Sequence, residues 1–130
     1  EGRPEPERVL ARLREAAVPG GYVLWGEPFL KAEPPARLAM MLQAVDYRSH
    51  ADYVAAGEEA GLKLRYAAVS PDQDFDDYIL RIHHNVERWF ASRPEHPEAE
   101  QRLTYNRLLR DLHLQEGRTT LGFGLYLFQR

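Results

Sequence analysis

One stretch near the start of the chain, residues 18–29 with the sequence VPGGYVLWGEPF, constrains the fold most. A proline and two glycines form a turn, and residues 22–25 after it are apolar at both alternating sets of positions. A strand of this kind is typical of a parallel or mixed sheet whose two faces are both covered. The sequence therefore predicts an α/β protein in which this strand lies centrally and stops at an acid, Glu27.

Two segments around this strand have clear helical patterns. Residues 4–17 begin with prolines and acids, which the first turn of a helix accepts, and they carry one apolar stripe. Residues 51–60 form a second predicted helix, which either Ser49 or His50 can cap. Gly61 follows this helix at the position where a left-handed C-cap is expected.

Two further strands are predicted, and they differ in burial. In residues 62–70 one alternating set is apolar and the other contains Lys63 and Arg65, so we expect this strand at a sheet edge. In residues 119–129 both sets are apolar and two glycines alternate with large residues, which predicts an interior strand with a shallow groove on one face. This last strand is expected to turn back and insert beside residues 22–25. The apolar set of the edge strand is Leu62, Leu64, Tyr66 and Ala68.

Residues 71–117 are predicted to form a helical hairpin inserted between the last two strands. A helix over residues 75–90 has apolar residues at helical spacing, and a turn at residues 92–97 separates it from a second helix over residues 98–115. The apolar residues of the first helix are Phe75, Tyr78, Ile79, Ile82, Val86, Trp89 and Phe90. Because 130 residues provide for one modest core, the chain is expected to form a single domain over residues 1–130.

Composition and charge argue against several classes of protein. The net charge of −3 disfavours nonspecific nucleic-acid binding, which needs a surplus of lysine and arginine. Cysteine is absent, so neither a disulfide framework nor a thiolate zinc site is expected. No apolar stretch approaches the roughly 18 residues of a membrane span, and the charged, proline-rich start does not resemble a signal peptide. We therefore expect a cytoplasmic protein that binds neither nucleic acid nor membrane.

The order of these motifs resembles the C-terminal half of a class I S-adenosylmethionine-dependent methyltransferase. The similar segments are PGGYVLWGE, EEAGLKL and LGFGLYLF. In that family they would be the fifth strand, the following helix, and the reversed sixth and seventh strands. The aromatic segment FDDYILRIHHNVERWF, followed by EGRTTLGFGLYLF, is similar to a bacterial subgroup of the family. The resemblance covers nearly the whole chain and depends more on order and spacing than on any single motif.

The resemblance implies a fold, a cofactor and a reaction. The fold would be a partial Rossmann-like methyltransferase sheet, made of the last three strands with the final one antiparallel, plus the helical hairpin. S-adenosylmethionine would be the cofactor of the full-length protein. The chain has no GxGxxG loop of the kind that holds this cofactor, so we expect a C-terminal fragment that binds no cofactor and is inactive alone. The alternative is a stand-alone α/β interaction or dimerisation module without catalysis.

Five residues are predicted to contact a substrate, and no catalytic, cofactor-binding or metal-binding residue is assigned. They are Glu27, Phe29, Arg48, Tyr78 and His83. Ligands of open α/β sheets lie outside the carboxyl ends of the strands, which favours Glu27 and Phe29. Glu27 alternatively caps a helix or pairs with an arginine such as Arg48. His83 falls at the boundary of the apolar face of its helix, where it is either a base for the acceptor or a packing residue.

The expected partners are a methyl acceptor and a second copy of the chain. The acceptor cannot be identified from the residues, and a small molecule is favoured. A sheet that lacks its upstream strands exposes one edge of the strand at residues 22–25, and an exposed edge pairs readily. The isolated chain is therefore predicted to form a homodimer through this edge.

Overall fold

The computed structural model describes residues 5–43 and 45–130, which form two compact units. The first contains the described residues up to Ser70 together with Thr120–Arg130, and the second is Pro71–Thr119. Pro4, where the first helix was predicted to begin, lies outside the described residues. None of the helices described has the length and apolar character that crossing a bilayer requires.

The first unit contains three helices and three strands. They are α1 (Pro6–Ala16), β1 (Tyr22–Leu30), α2 (Ala36–Leu42), α3 (His50–Glu59), β2 (Lys63–Val69) and β3 (Leu121–Gln129). The sheet order is β1-β3-β2, and β3 is antiparallel to both neighbours. The prediction that the last strand inserts beside β1 and leaves β2 outermost is confirmed.

The core of this unit lies on one face of the sheet, under α1 and α3. Its fully buried side chains include Leu10 from α1, Tyr53 from α3, and Tyr126 and Phe128 from β3. Gly57 allows α3 to approach β3, because a Cβ at this position would lie 2.2 Å from the Phe128 ring. The packing of α1 follows the apolar stripe that the sequence predicted for it.

The ends of α3 are formed as predicted. Ser49 is the N-cap residue, and it forms a capping box in which its side chain accepts from the Asp52 N–H while the Asp52 carboxylate accepts from the Ser49 N–H. Gly61 has a φ of 78°, the left-handed conformation expected after a helix.

The opposite face of the sheet, which we call the open face, leaves the start of β1 exposed among the described residues, and this corrects the prediction that both faces of the strand are covered. Side chains of β1 alternate between the two faces, and Val23 and Trp25 are buried while Tyr22 and Leu24 are exposed. β1 also continues past Glu27 and Pro28 to Leu30 rather than stopping at the acid. An apolar pattern at both sets of positions means that a strand can be buried on both faces. It does not show that other elements of the chain cover both faces.

A β-bulge in β2 corrects the predicted face of that strand. Leu64 pairs with Phe128 on the covered face, and the register then shifts so that Tyr66 pairs with Leu127 on the open face. Since an extra residue reverses the alternation of side chains, Tyr66 and Ala68 no longer share a face with Leu64. Tyr66 is consequently exposed.

The second unit is an antiparallel helical hairpin. It consists of α4 (Asp72–Ala91), α5 (Ala99–Leu112), a π-helical turn (His113–Gly117) and the first two residues of the short α6 (Arg118–Thr120), whose last residue belongs to the first unit and precedes β3. Contacts of His83 with Asn106 and of Asp76 with His113 place the two helices side by side in opposite directions.

The face by which α4 packs on α5 differs from the predicted one. Asp76, His83 and Phe90 are its buried residues. Tyr78, Ile82 and Trp89, which belong to the predicted apolar face, are exposed. The buried residues of α4 therefore lie to one side of the predicted apolar stripe. They lie there because His83 has a hydrogen-bonding partner on α5 and Asp76 has one on the π-helical turn.

Candidate functional site

Two of the residues predicted to contact a substrate lie together at the carboxyl end of β1. Glu27 and Phe29 are two residues apart, so both point to the covered face, and they are 7% and 5% exposed. The residues opposite them on β3 are Gly124 and Gly122. β1 and β2 are both antiparallel to β3, so their carboxyl ends meet at this edge, where open α/β sheets bind ligands.

His50 and Tyr126 complete this cluster from two other elements. His50 is the first residue of α3, and its ring centroid lies 4.9 Å from that of Phe29 and 5.0 Å from that of Tyr126. Its Nδ1 is 2.9 Å from the Tyr126 hydroxyl oxygen, which is hydrogen-bonding distance. The imidazole, the phenol and the ring of Phe29 are thus in contact, and Glu27 lies on the same face opposite Gly124, beside which the Tyr126 hydroxyl and His50 lie. We call these four residues the Glu27 cluster (Glu27, Phe29, His50 and Tyr126).

The glycines of β3 provide the space for this cluster. A Cβ at position 124 would lie 2.4 Å from the Tyr126 hydroxyl oxygen and 3.0 Å from His50 Nδ1. A Cβ at position 122 would lie 2.7 Å from the Phe29 ring. The groove that the sequence predicted beside these glycines is thus filled by side chains of the cluster.

The phenol of the Glu27 cluster, Tyr126, has a pKa that is shifted by burial. Burial, followed by the proximity of Tyr53, raises the pKa of Tyr126 above its ordinary value, so the hydroxyl keeps its proton at neutral pH. A protonated hydroxyl can donate to His50 Nδ1. In the tautomer in which His50 Nδ1 accepts this bond, the ring proton is on Nε2, and that atom is a hydrogen-bond donor.

Arg48 is positioned by carboxylates rather than by the Glu27 cluster. Its guanidinium donates to both carboxylate oxygens of Glu7 on α1 and to Asp46 Oδ2 at 2.8 Å. The hydrogen bond from Arg48 lowers the pKa of Glu7, and the same pair raises the pKa of Arg48. The Arg48 side chain therefore joins α1 to the segment that precedes α3.

Tyr78 and His83 belong to the second unit. Tyr78 is exposed on α4, with its ring parallel to that of Phe75. His83, which was predicted at the boundary of the apolar face, is instead buried: its Nδ1 lies 2.8 Å from Asn106 Nδ2, which also donates to the His83 carbonyl at 3.0 Å. Its Nε2 lies 3.3 Å from Glu87 Oε1. These contacts give His83 a structural role within the hairpin.

A second buried polar cluster in the hairpin was not predicted. His113 Nε2 donates to Asp76 Oδ1 at 2.9 Å, and Arg118 Nε donates to Asp76 Oδ2 at the same distance. The π-helical turn begins at His113, and such turns often occur at functional sites. Nothing in the sequence marks these residues as neighbours, since Asp76 and His113 are 37 positions apart. No group of three or more metal-ligating side chains occurs in residues 5–43 and 45–130.

The sequence did contain a weak signal for the two residues missed in the Glu27 cluster. His50 was identified only as a possible cap, and Tyr126 only as an interior strand residue. The segment LGFGLYLF places glycines two and four positions before a tyrosine, on one strand face. This pattern indicates a large side chain that lies along the strand over a glycine, as Tyr126 does over Gly124.

Comparison with solved structures identifies the fold. A SAM-dependent methyltransferase from Thiobacillus denitrificans in complex with S-adenosyl-L-homocysteine matches with a TM-score of 0.80 and 20% identity, over 95% of this chain and 52% of that protein. One from Geobacter sulfurreducens, with the same ligand, matches with a TM-score of 0.73 and 20% identity, over 87% and 47%. The cyclopropane synthase MmaA2 from Mycobacterium tuberculosis matches with a TM-score of 0.73 and 10% identity, over 96% and 50%.

These proteins share the fold of the chain at low sequence identity, and the chain spans about half the length of each. No protein-family model and no curated protein sequence matches it significantly. The chain therefore has the fold of part of a class I S-adenosylmethionine-dependent methyltransferase, namely the three-stranded end of the sheet with the reversed last strand.

Proposed function

We propose that this chain is the C-terminal part of a cytoplasmic S-adenosylmethionine-dependent methyltransferase and that it forms the acceptor side of the active site. The fold similarity supports the class of enzyme, and the Glu27 cluster is the observation that supports the acceptor role. It places an acid, an imidazole and a phenol at the edge of the sheet where ligands of this fold class bind.

The chemistry of methyl transfer agrees with this assignment. The reaction is an in-line displacement, so the protein mainly positions the acceptor and, for some acceptors, removes a proton. Glu27 can orient an acceptor or take its proton, and His50 can donate a hydrogen bond from Nε2 while its Nδ1 accepts one from Tyr126. Phe29 supplies an apolar contact. Tyr78, in the second unit, stays a predicted substrate contact.

The cofactor itself is assigned to no residue of this chain. Among the described residues, no glycine-rich loop connects a strand to a following helix: the pair Gly20-Gly21 precedes β1, while Gly122 and Gly124 lie inside β3. We therefore infer that S-adenosylmethionine binds residues of a longer protein, and that the 130-residue chain alone is inactive.

The test is a substitution in a full-length protein that contains this chain. Glu27→Gln should lower methyl transfer at least tenfold and leave the affinity for S-adenosylhomocysteine within twofold of the wild type. Formation of S-adenosylhomocysteine is measured with a panel of small amines, carboxylates, phenols and thiols, and cofactor affinity is measured by calorimetry. Glu58→Gln, on the exposed side of α3, is the matched control and should change neither quantity.

Three outcomes contradict the proposal in different ways. A full-length protein that binds no S-adenosylhomocysteine is not a methyltransferase of this kind. A parallel loss of cofactor affinity and turnover places Glu27 on the cofactor side. Unchanged turnover in Glu27→Gln removes the Glu27 cluster from the active site.

A stand-alone interaction module is the second candidate, and the free edge of β1 favours it. The sequence encoded before Glu1 distinguishes the two functions. A strand followed by a glycine-rich loop supports the methyltransferase, whereas an unrelated domain supports the interaction module.

A further inference from the structure

Backbone and ring contacts hold His50 at the carboxyl end of β1. The Leu30 N–H, in the last residue of β1, donates to the carbonyl of Arg48, two residues before His50. The imidazole contacts two aromatic rings, with its centroid 4.9 Å from that of Phe29 and 5.0 Å from that of Tyr126. These contacts fix the ring at the edge of the sheet where ligands of this fold class bind.

The direction of the hydrogen bond between Tyr126 and His50 follows from the surroundings of the hydroxyl. Tyr126 is 0% exposed, and among residues 5–43 and 45–130 its hydroxyl has one hydrogen-bonding partner, His50 Nδ1. If Nδ1 carried the ring proton and donated it to the hydroxyl oxygen, the hydroxyl proton would be buried without an acceptor, which costs free energy. The hydroxyl therefore donates to Nδ1, and the ring proton of His50 is on Nε2.

The Nε2 atom of His50 is a donor that a ligand can reach. His50 makes no second hydrogen bond or ion pair within the part of the chain that the structure describes. Among the residues there that are not exposed, Glu116 Oε2 is the only side-chain nitrogen or oxygen that is fully buried and has no partner. His50 Nε2 is therefore accessible, and a molecule bound at this edge can accept its hydrogen bond.

The glycine at position 124 is explained by this pair of side chains rather than by its backbone. Gly124 does not have a positive φ, and a glycine inside a strand weakens the strand. A Cβ there would lie 2.4 Å from the Tyr126 hydroxyl oxygen and 3.0 Å from His50 Nδ1. Any larger residue would thus displace the two partners of the hydrogen bond.

We propose that Tyr126 is a positioning residue that keeps His50 as an Nε2–H donor, and that the methyl acceptor is recognised through an oxygen atom that accepts this hydrogen bond. The part that concerns the acceptor rests on the proposed function. Glu27 lies on the same face of the sheet and can bind or deprotonate the group that receives the methyl, so the acceptor is held at two points. An acceptor whose polar atoms only donate, such as an alkylammonium ion, suits Glu27 but leaves the His50 donor unpaired.

Nitrogen NMR of the chain measures the tautomer of His50, with its signals assigned by their loss in His50→Gln. The wild type should carry the ring proton on Nε2 alone. Tyr126→Phe removes the partner of Nδ1, so both tautomers should then be populated. Tyr53→Phe is the matched control, because Tyr53 is 1% exposed in the same core but its hydroxyl contacts Arg48 and Asp46. This control should leave the His50 signals as they are in the wild type.

The recognition of the acceptor is tested in a full-length protein that contains this chain. Formation of S-adenosylhomocysteine is compared within pairs of amines, phenols and thiols that differ by one added hydroxyl or one added carboxylate, which separates an uncharged from an anionic oxygen. For the member with the added oxygen, the wild-type kcat/KM should be higher by about fivefold. His50→Gln, whose amide nitrogen can take the place of Nε2, should keep this preference. His50→Asn, whose side chain is too short to replace Nε2, should lose it.

The two measurements fail separately. A ring proton on Nδ1 in the wild type, or unchanged tautomer populations in Tyr126→Phe, overturns the positioning role, and neither result depends on methyl transfer. The absence of a preference for the added oxygen, or an equal preference in His50→Asn, overturns the recognition of the acceptor and leaves the result for Glu27→Gln as it stands. A full-length protein that methylates no member of any pair overturns the acceptor part together with the proposed function, while the NMR result still decides the role of Tyr126.

Discussion

At the scale of single residues, the structure places polar side chains where the apolar core would otherwise continue. Tyr126 is fully buried between Trp25, Tyr53 and Phe128, yet its hydroxyl reaches His50. A buried hydroxyl with a partner contributes about 1 kcal/mol to stability, and one without a partner costs more than that. The Tyr126–His50 pair therefore both stabilises α3 against β3 and orients the imidazole.

The first prediction concerns Tyr126 at alkaline pH. Burial raises the pKa of Tyr126 in the folded state above 10.0, so above that pH the unfolded chain loses this proton and the folded chain keeps it. The free energy of unfolding should then fall by up to about 1.4 kcal/mol for each pH unit above 10 because of this group. Tyr126→Phe should be about 1 kcal/mol less stable than the wild type at pH 8, and this difference should shrink or reverse at pH 11. Urea unfolding of both proteins from pH 8 to pH 11 measures the effect, and a constant difference contradicts it.

The second prediction concerns Glu7 and Arg48 in acid. The Arg48 hydrogen bond lowers the pKa of Glu7, so the wild type should be more stable than Glu7→Gln at neutral pH, by about 0.5–1 kcal/mol given the partial exposure of the pair. This advantage should be complete above the unfolded pKa of about 4.5 and should disappear as the pH falls through the lowered folded value. Urea unfolding at pH 7 and pH 3 tests it. Glu15→Gln, at an exposed position of α1, is the control and should change stability little at either pH.

At the scale of elements, the position of each helix depends on a few close approaches to its neighbour. Gly57 in α3 lies against Phe128, and the paired helices α4 and α5 enclose the side chains of Asp76, His83 and Asn106. Glycine has poor helix propensity, but Gly57 leaves room for the Phe128 ring. Burial of the polar side chains costs desolvation energy, but their hydrogen bonds between the helices offset that cost.

The third prediction is that Gly57→Ala destabilises the chain although alanine favours helix. Alanine gains about 1 kcal/mol of helix propensity, but its Cβ would lie 2.2 Å from the fully buried Phe128 ring, and overpacking of this kind costs about 1–3 kcal/mol. We expect a net loss of about 1–2 kcal/mol in urea unfolding. Ala55→Gly, at an exposed position of the same helix, measures the propensity contribution alone. A more stable Gly57→Ala variant would show that α3 does not approach β3 this closely.

The fourth prediction concerns Asp76 in the hairpin. The Asp76 carboxylate accepts hydrogen bonds from His113 and Arg118, and Asp76→Asn keeps one oxygen acceptor but replaces the other with a donor, so we expect a loss of about 2 kcal/mol. Hydrogen exchange should accelerate in peptides from α4 and the π-helical turn relative to peptides from β3. Asp77→Asn, one position along on the exposed side, should leave the exchange unchanged. Equal acceleration in Asp77→Asn would show that helix charge, rather than the Asp76–His113 contact, is responsible.

At the scale of the whole molecule, the two compact units differ in what holds them together. The first is a sheet with an aromatic core on one face, and the second is a hairpin that buries polar contacts between its helices. The comparisons show that this architecture is part of a methyltransferase fold, while the chain spans about half of those proteins.

The fifth prediction follows from this difference in length. The isolated 130-residue chain should show no measurable binding of S-adenosylmethionine by calorimetry, because no glycine-rich loop is found in its sequence. A longer protein that includes this chain and a preceding glycine-rich loop serves as the positive control. Micromolar binding by the isolated chain would mean that its own residues form a cofactor site that we have not identified.

The elements and their order were predictable from the sequence because they depend on local patterns. Periodicity, caps and turns fixed α1, α3, the hairpin and the interior position of β3, since each depends on residues a few positions apart. Glu27 and Phe29 were also chosen as candidate substrate contacts from a local feature, the end of an apolar strand, and this role stays a prediction.

Only the tertiary structure decided which faces are used and which side chains meet. The bulge in β2 turned Tyr66 to the open face, and pairing with α5 rotated the buried side of α4 toward His83. The meeting of His50 with Tyr126, 76 positions apart, depends on sheet register and on the space above Gly124. Such contacts join distant segments, and no local pattern encodes them because their energy exists only after the segments pack.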